Sequence, residues 1–186
     1  MAIIRIAKKH GIKLLLLLIL VGGPIYLIAS DAKYEGYQPD QPIAFSHKIH
    51  AGDLQINCQF CHYGVEKSPT AVVPDLATCM KCHEHVAPDS QDIQYLKQSY
   101  RQGKPVAWVK VHDLPDHVRF AHKPHIARGL SCEQCHGDVA AMDKVHVAVD
   151  FNMGWCVNCH RDFTEQEKPP GNNVTVKITE CGTCHY

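Results

Sequence analysis

Residues 120–136 contain Phe120-Ala121-His122-Lys123-Pro124-His125, a glycine-containing turn, and then Cys132-Glu133-Gln134-Cys135-His136. The same arrangement stands earlier in the chain. Phe45-Ser46-His47-Lys48-Ile49-His50 leads within eight residues to Cys58-Gln59-Phe60-Cys61-His62. The second half of this unit recurs without the first at Cys79-Met80-Lys81-Cys82-His83, Cys156-Val157-Asn158-Cys159-His160 and Cys181-Gly182-Thr183-Cys184-His185. All 10 cysteines of the chain fall into these motifs.

Cys-x-x-Cys-His is the attachment pattern of c-type haem. Two thiols about one helical turn apart reach the two vinyl groups of one porphyrin, and the histidine that follows turns its imidazole onto the iron. The pattern therefore predicts five covalent haems, with His62, His83, His136, His160 and His185 as proximal ligands. Zinc sites and disulfides also use paired cysteines, but neither requires histidine after every second cysteine. With 14 histidines in 186 residues, five coincidences have a chance probability on the order of one in a million. No thiolate remains for an iron–sulfur cluster.

Composition agrees. The chain is 45% hydrophobic, but that figure counts the cysteines and an apolar N-terminal run, and it includes only 5 Phe and 2 Trp. Five large flat cofactors replace much of an aliphatic interior. About 31 residues per motif are then available beyond residue 30, which predicts a mostly irregular domain of short helices. Net charge is zero, with 19 basic and 19 acidic residues. Arg5, Lys8, Lys9 and Lys13 lie in the first 30 residues, where there is no acid. The remainder is acidic, and no basic patch suited to nucleic acid is present.

Residues 14–29 form a run of apolar residues behind those four bases. Its length is near the lower limit for a membrane span. The charge order puts the N-terminus in the cytoplasm and residues 31–186 on the extracytoplasmic (periplasmic) side of an inner membrane. Basic start, apolar middle and the small residues Ala29, Ser30 and Ala32 also fit a cleaved signal peptide; the reading adopted is a retained single-pass anchor over 1–30. Beyond it, 31–88 forms a two-haem half, 89–119 an insert and 120–186 a three-haem half. In the insert, Ser90 starts a helix over 91–102 that ends at Gly103, and 105–111 reads as extended.

The layout of residues 120–185 resembles the small cytochromes of the c3/c7 class. The resemblance implies His122 as distal ligand on the haem of His136, and His125 on that of His160. By the same logic His47 serves the haem of His62, and His50 that of His83. For the haem of His185 the c7 pattern has a histidine just before the middle motif, where this chain carries Met153. A thioether ligand raises the potential relative to two imidazoles. His112 competes for that place, followed by Met142 and His146; His85 and His117 read as surface or supporting residues.

From the anchor to the last motif the chain also resembles the pentahaem subunit of bacterial alternative complex III. Phe45–His50, Val111-His112-Asp113-Leu114-Pro115 and Asn152–Arg161 carry that likeness. It implies electron transfer within a quinol:acceptor oxidoreductase. It also implies partner subunits: a large iron–sulfur protein related to molybdopterin enzymes, polytopic quinol-binding membrane proteins and a monohaem cytochrome. A stand-alone quinol dehydrogenase of the NapC/NrfH type is the rival reading, although that family places its first motif close to the membrane. A catalytic multihaem reductase needs an open iron site beside acid–base groups, and distal candidates here outnumber the motifs.

Overall fold

The computed structural model describes residues 11–13, 15–25, 34–166 and 179–185, with side chains described only to residue 162 in the stretch ending at 166. The chain divides into two compact units, 1–33 and 34–186. In the first, residues 11–13 and 15–25 are helical, and Leu15 to Leu20 are all exposed. Among the described residues no helix is long and apolar enough to cross a membrane. The predicted anchor runs through residues 1–10, 14 and 26–30, which lie outside the described residues.

The second unit contains the short helices that the motif density predicts. They are α1 (Cys58–Cys61), α2 (Leu76–His83), α3 (Gln91–Arg101), α4 (His122–Ala127), α5 (Glu133–His136), α6 (Met153–Gln166) and α7 (Cys181–Cys184), with a π-helical turn at Lys48–Asp53 and a 3-10 turn at Val139–Ala141. Every Cys-x-x-Cys segment thus lies within or at the start of a helical turn, which sets its two sulfurs on neighbouring faces. Three of these helices are started by a short polar side chain just before the motif. Asn57 accepts from the Gln59 N–H at 2.8 Å, Asp75 from the Thr78 N–H at 2.8 Å and Asn152 from the Trp155 N–H at 2.9 Å. Each satisfies a donor that the helix itself leaves free, a contribution of about 1 kcal/mol.

The aliphatic core is small. Ile43, Ile93, Leu96 and Val106 form its centre, with Leu76, Cys79 and Trp108 packed against it. Ile93, Leu96 and Val106 come from the insert, so that segment supplies most of this core rather than a mere connection. Burying a side chain such as Leu96, 4% exposed, stabilises by about 2 kcal/mol. α3 runs over Gln91–Arg101, as its periodicity predicts, although Ser90 makes no side-chain capping bond. The stretch 105–111 forms no strand. The Gln41 amide pairs instead with both the N–H and the carbonyl of Val109, each at 2.9 Å, in the way a neighbouring strand would.

Candidate haem-binding site

All 10 cysteines are described and none is in a disulfide. The histidines around them are held in a consistent way. His50 Nδ1 lies 2.8 Å from the Ser46 carbonyl, His62 Nδ1 2.7 Å from Val72, His83 Nδ1 3.1 Å from Val86, His122 Nδ1 2.9 Å from Pro69, His125 Nδ1 2.8 Å from Ala121 and His185 Nδ1 3.3 Å from His117. A carbonyl oxygen only accepts, so Nδ1–H is the donor in each case. The tautomer is thereby fixed, and Nε2 keeps its lone pair for a metal.

Ring separations test whether an iron fits between partners. An imidazole nitrogen sits about 2 Å from a ligated metal and about 1 Å from its own ring centre, so two imidazoles clamping one iron have centroids about 6 Å apart. His50 and His83 are 5.9 Å apart, His122 and His136 6.3 Å, and His125 and His160 6.0 Å. These three pairs fit the group. His47 and His62 lie within electrostatic reach of each other, and His47 Nδ1 is buried with no hydrogen-bond partner. Burial first, then the neighbouring His62 and His50, lowers the His47 pKa to about 4. His136 is likewise lowered to about 4 by burial, then by His112, His122 and His62. A neutral, desolvated imidazole is the form that binds iron.

His117 and His185 also have centroids at a suitable distance, 5.6 Å. Val118 pairs with His185 in an antiparallel bridge, which holds the two backbones side by side, and the His117 carbonyl lies 3.3 Å from His185 Nδ1. Ligands of one haem come from opposite faces of the porphyrin, so this placement suits a supporting residue better than a distal ligand. His112 lies 4.5 Å from His136 in an edge-to-face contact, too close for an iron between them, and its Nε2 is buried without a partner. It is thus placed at the third motif, and also against Phe151 at 5.9 Å. His146 is half-buried and close enough to His112 to lower its pKa, after burial itself. Met142 gives its carbonyl to the Lys48 N–H at 3.0 Å. Met153 opens α6 with its side chain 66% exposed. It stands three residues before Cys156, on the same helical face, and Cys156 neighbours Cys184 of the last motif.

Sequence reasoning missed the supporting carbonyls. Val72 has φ +67°, a left-handed conformation that a β-branched residue rarely adopts, and its carbonyl is the one that holds His62. Gly64 makes room for it: a Cβ there would stand 2.5 Å from Val72 Cγ2. The glycine was the available signal, and nothing in the identity of Val72 announced its role.

Comparison with known proteins adds an independent line. A family model described as cytochrome c7 and related cytochrome c matches residues 118–186, and one described as the class III cytochrome c family matches residues 26–114. The chain is 31% identical over 159 residues to a protein of Nitratidesulfovibrio vulgaris (strain Hildenborough) named menaquinone reductase, multiheme cytochrome c subunit; the match covers 80% of this chain and 69% of the relative.

Proposed function

Since this chain belongs to the multihaem cytochrome c family of that menaquinone reductase subunit, we propose that it is the electron-transfer subunit of a membrane quinone oxidoreductase and carries five covalent haem c groups. The observation that carries the reading is the set of three histidine pairs at 5.9 to 6.3 Å, each pair including the histidine of a Cys-x-x-Cys-His motif. A haem c bound in this way supplies one-electron exchange at its iron.

The chain holds and tunes that group. Cys58/Cys61, Cys79/Cys82, Cys132/Cys135, Cys156/Cys159 and Cys181/Cys184 attach it. His62 with His47, His83 with His50, His136 with His122, and His160 with His125 are the axial sets, and Met153 is the distal partner of His185. Backbone carbonyls on the Nδ1 of His50, His62, His83, His122, His125 and His185 raise the basicity of those imidazoles and lower the potential of the irons they bind. Met153 works in the opposite direction. In a Met153→His variant one potential should fall; five unchanged potentials would remove Met153 as a ligand.

The exposed leucines of residues 15–20, behind a basic start, support a membrane anchor with the haem unit on its extracytoplasmic side. The finer assignment is to an assembly like alternative complex III, with an iron–sulfur subunit, polytopic quinol-binding subunits and a monohaem cytochrome. Such a complex oxidises quinol, whereas the relative's name records reduction of menaquinone, so the potentials of the terminal haems decide the direction. The test is purification from native membranes in gentle detergent, with haem counted per chain and every co-purifying chain identified. Five haems and a large iron–sulfur subunit are expected. Recovery alone, or with a soluble reductase only, would instead make this a stand-alone quinol dehydrogenase.

A further inference from the structure

The motifs do not follow one another in space as they do along the chain. Phe45 lies 4.9 Å from His47 and 4.4 Å from His50, and His50 faces His83. One short turn therefore serves the sites of both His62 and His83. The second block does the same for the sites of His136 and His160: Phe120 is 4.9 Å from His122 and 4.8 Å from His125, and these two face His136 and His160.

Residues 63–73 join the two blocks. The Val72 carbonyl holds His62. Three residues earlier, the Pro69 carbonyl accepts both the backbone N–H of His122 at 3.0 Å and its Nδ1–H at 2.9 Å. This loop is itself tied down, by Lys67 and Ser68 N–H groups on the Gly64 carbonyl and by the Ser68 and Thr70 hydroxyls. A single strap thus positions a proximal imidazole of the first site and a distal imidazole of the third.

The sulfurs give the same neighbours. Cys61 lies within electrostatic reach of Cys82, and Cys132 of Cys58. Cys135 lies within reach of Cys159 and Cys156, and Cys156 of Cys184.

We propose that the five haem sites form a single file in the order His83, His62, His136, His160, His185, so that the second and fifth motifs are the two ends. The order rests on the five-haem reading above and goes beyond it, because it says where partners exchange electrons. The second motif, on the α2 helix beside the insert, and the fifth, at the C-terminal α7, are the terminals. The first motif, although nearest the N-terminus, is internal and is joined to the third by the 63–73 strap.

The direct test is the set of iron–iron distances in the holoprotein as purified, measured by cryo-electron microscopy. The expected shortest distances run 2–1, 1–3, 3–4 and 4–5. Five irons with the second or fifth lying between two others would overturn the order. So would a fifth iron nearer the third than the fourth, an arrangement that the backbone contact between Arg119 and Cys184 makes the sharpest alternative. Fewer than five irons would instead fail the underlying reading, and the two failures are thereby distinguishable.

A second measurement reads the same order in solution. In a partly reduced sample, a His→Met change at a distal ligand makes that iron reduced, and so diamagnetic, ahead of the others. Relief of magnetic coupling then marks its neighbours in electron paramagnetic resonance. His122→Met should sharpen the lines of two other haems, and His50→Met the lines of one. Two or more haems responding to His50→Met, or one to His122→Met, would overturn the file.

Discussion

The two Phe-x-His-Lys-x-His blocks share a pattern and an internal geometry, yet they are fastened differently. In both, the phenyl ring lies flatter against the second histidine and edge-on to the first. In both, the second histidine donates Nδ1–H to the carbonyl four residues back. The fifth residue of the six is treated in opposite ways. In the first block the Ser46 hydroxyl accepts the Ile49 N–H at 3.2 Å. In the second, Pro124 has no N–H and Ala121 has no hydroxyl, so acceptor and donor are absent together. The first histidines differ too: His122 is held by Pro69 from the other half, while His47 keeps a buried, unpartnered Nδ1. Local spacing fixes the shape of a block, and a distant segment decides how firmly its first ligand is held.

The largest break in this comparison is removal of the second histidine from either block. His50→Ala and His125→Ala should each leave one high-spin haem that binds carbon monoxide when reduced, seen in the absorption spectrum. If either variant stays fully low-spin, the equivalence of the blocks fails. Next come the glycines that close them. A Cβ on Gly52 would run into the Ala140 backbone carbonyl, while Gly129, at φ +78°, has nothing near it. Gly52→Ala should therefore destabilise by about 3 kcal/mol, and Gly129→Ala by about 1 kcal/mol from backbone strain alone. Denaturant midpoints of the holoprotein check both.

A smaller effect sharpens the contrast at the fifth residue. Ser46→Ala should cost about 1 kcal/mol by leaving the Ile49 N–H unpaired. Adding Ile49→Pro transfers the second block's solution and should recover part of that loss. A double variant less stable than the sum of the single changes would show that the two turns are not interchangeable. The smallest effect is on acid sensitivity. His47 and His136 have pKa values near 4, below the ordinary 6.5, so both stay neutral at pH 5, and iron competes with the proton in the same direction. Stability from these groups is complete above about pH 6.5 and falls as the pH drops toward 4. Low-spin spectra of the first and third sites should persist at pH 5.

Much of this was legible in the sequence. The motif cysteines announce their chemistry by spacing, and the two blocks announce their ring geometry by repetition. The helix at 91–101 follows its apolar period. What was not legible depends on approach between distant segments. Val72 carries no mark of its left-handed backbone, which only the packing of Gly64 and the His62 hydrogen bond make sustainable. The extended reading of 105–111 did not foresee that a glutamine side chain would take the place of a strand. Nothing in the spacing of the motifs announced that His112 would lie 4.5 Å from His136 with its Nε2 buried and unpartnered.

Gly52 and the 63–73 strap carry one more consequence, for how the protein is made. The first block is fastened to Ala140, Met142 and Asp143, beyond the third motif, and the second block to Pro69, behind the first motif. The clasp is reciprocal, and both of its joints close across long stretches of chain. Such closures are entropically expensive and slow. A polypeptide delivered N-terminus first therefore cannot set its first block until the third motif has emerged. Early attachments are made on a half-assembled chain, and the late arrival of residues 132–143 is the event that locks both halves together.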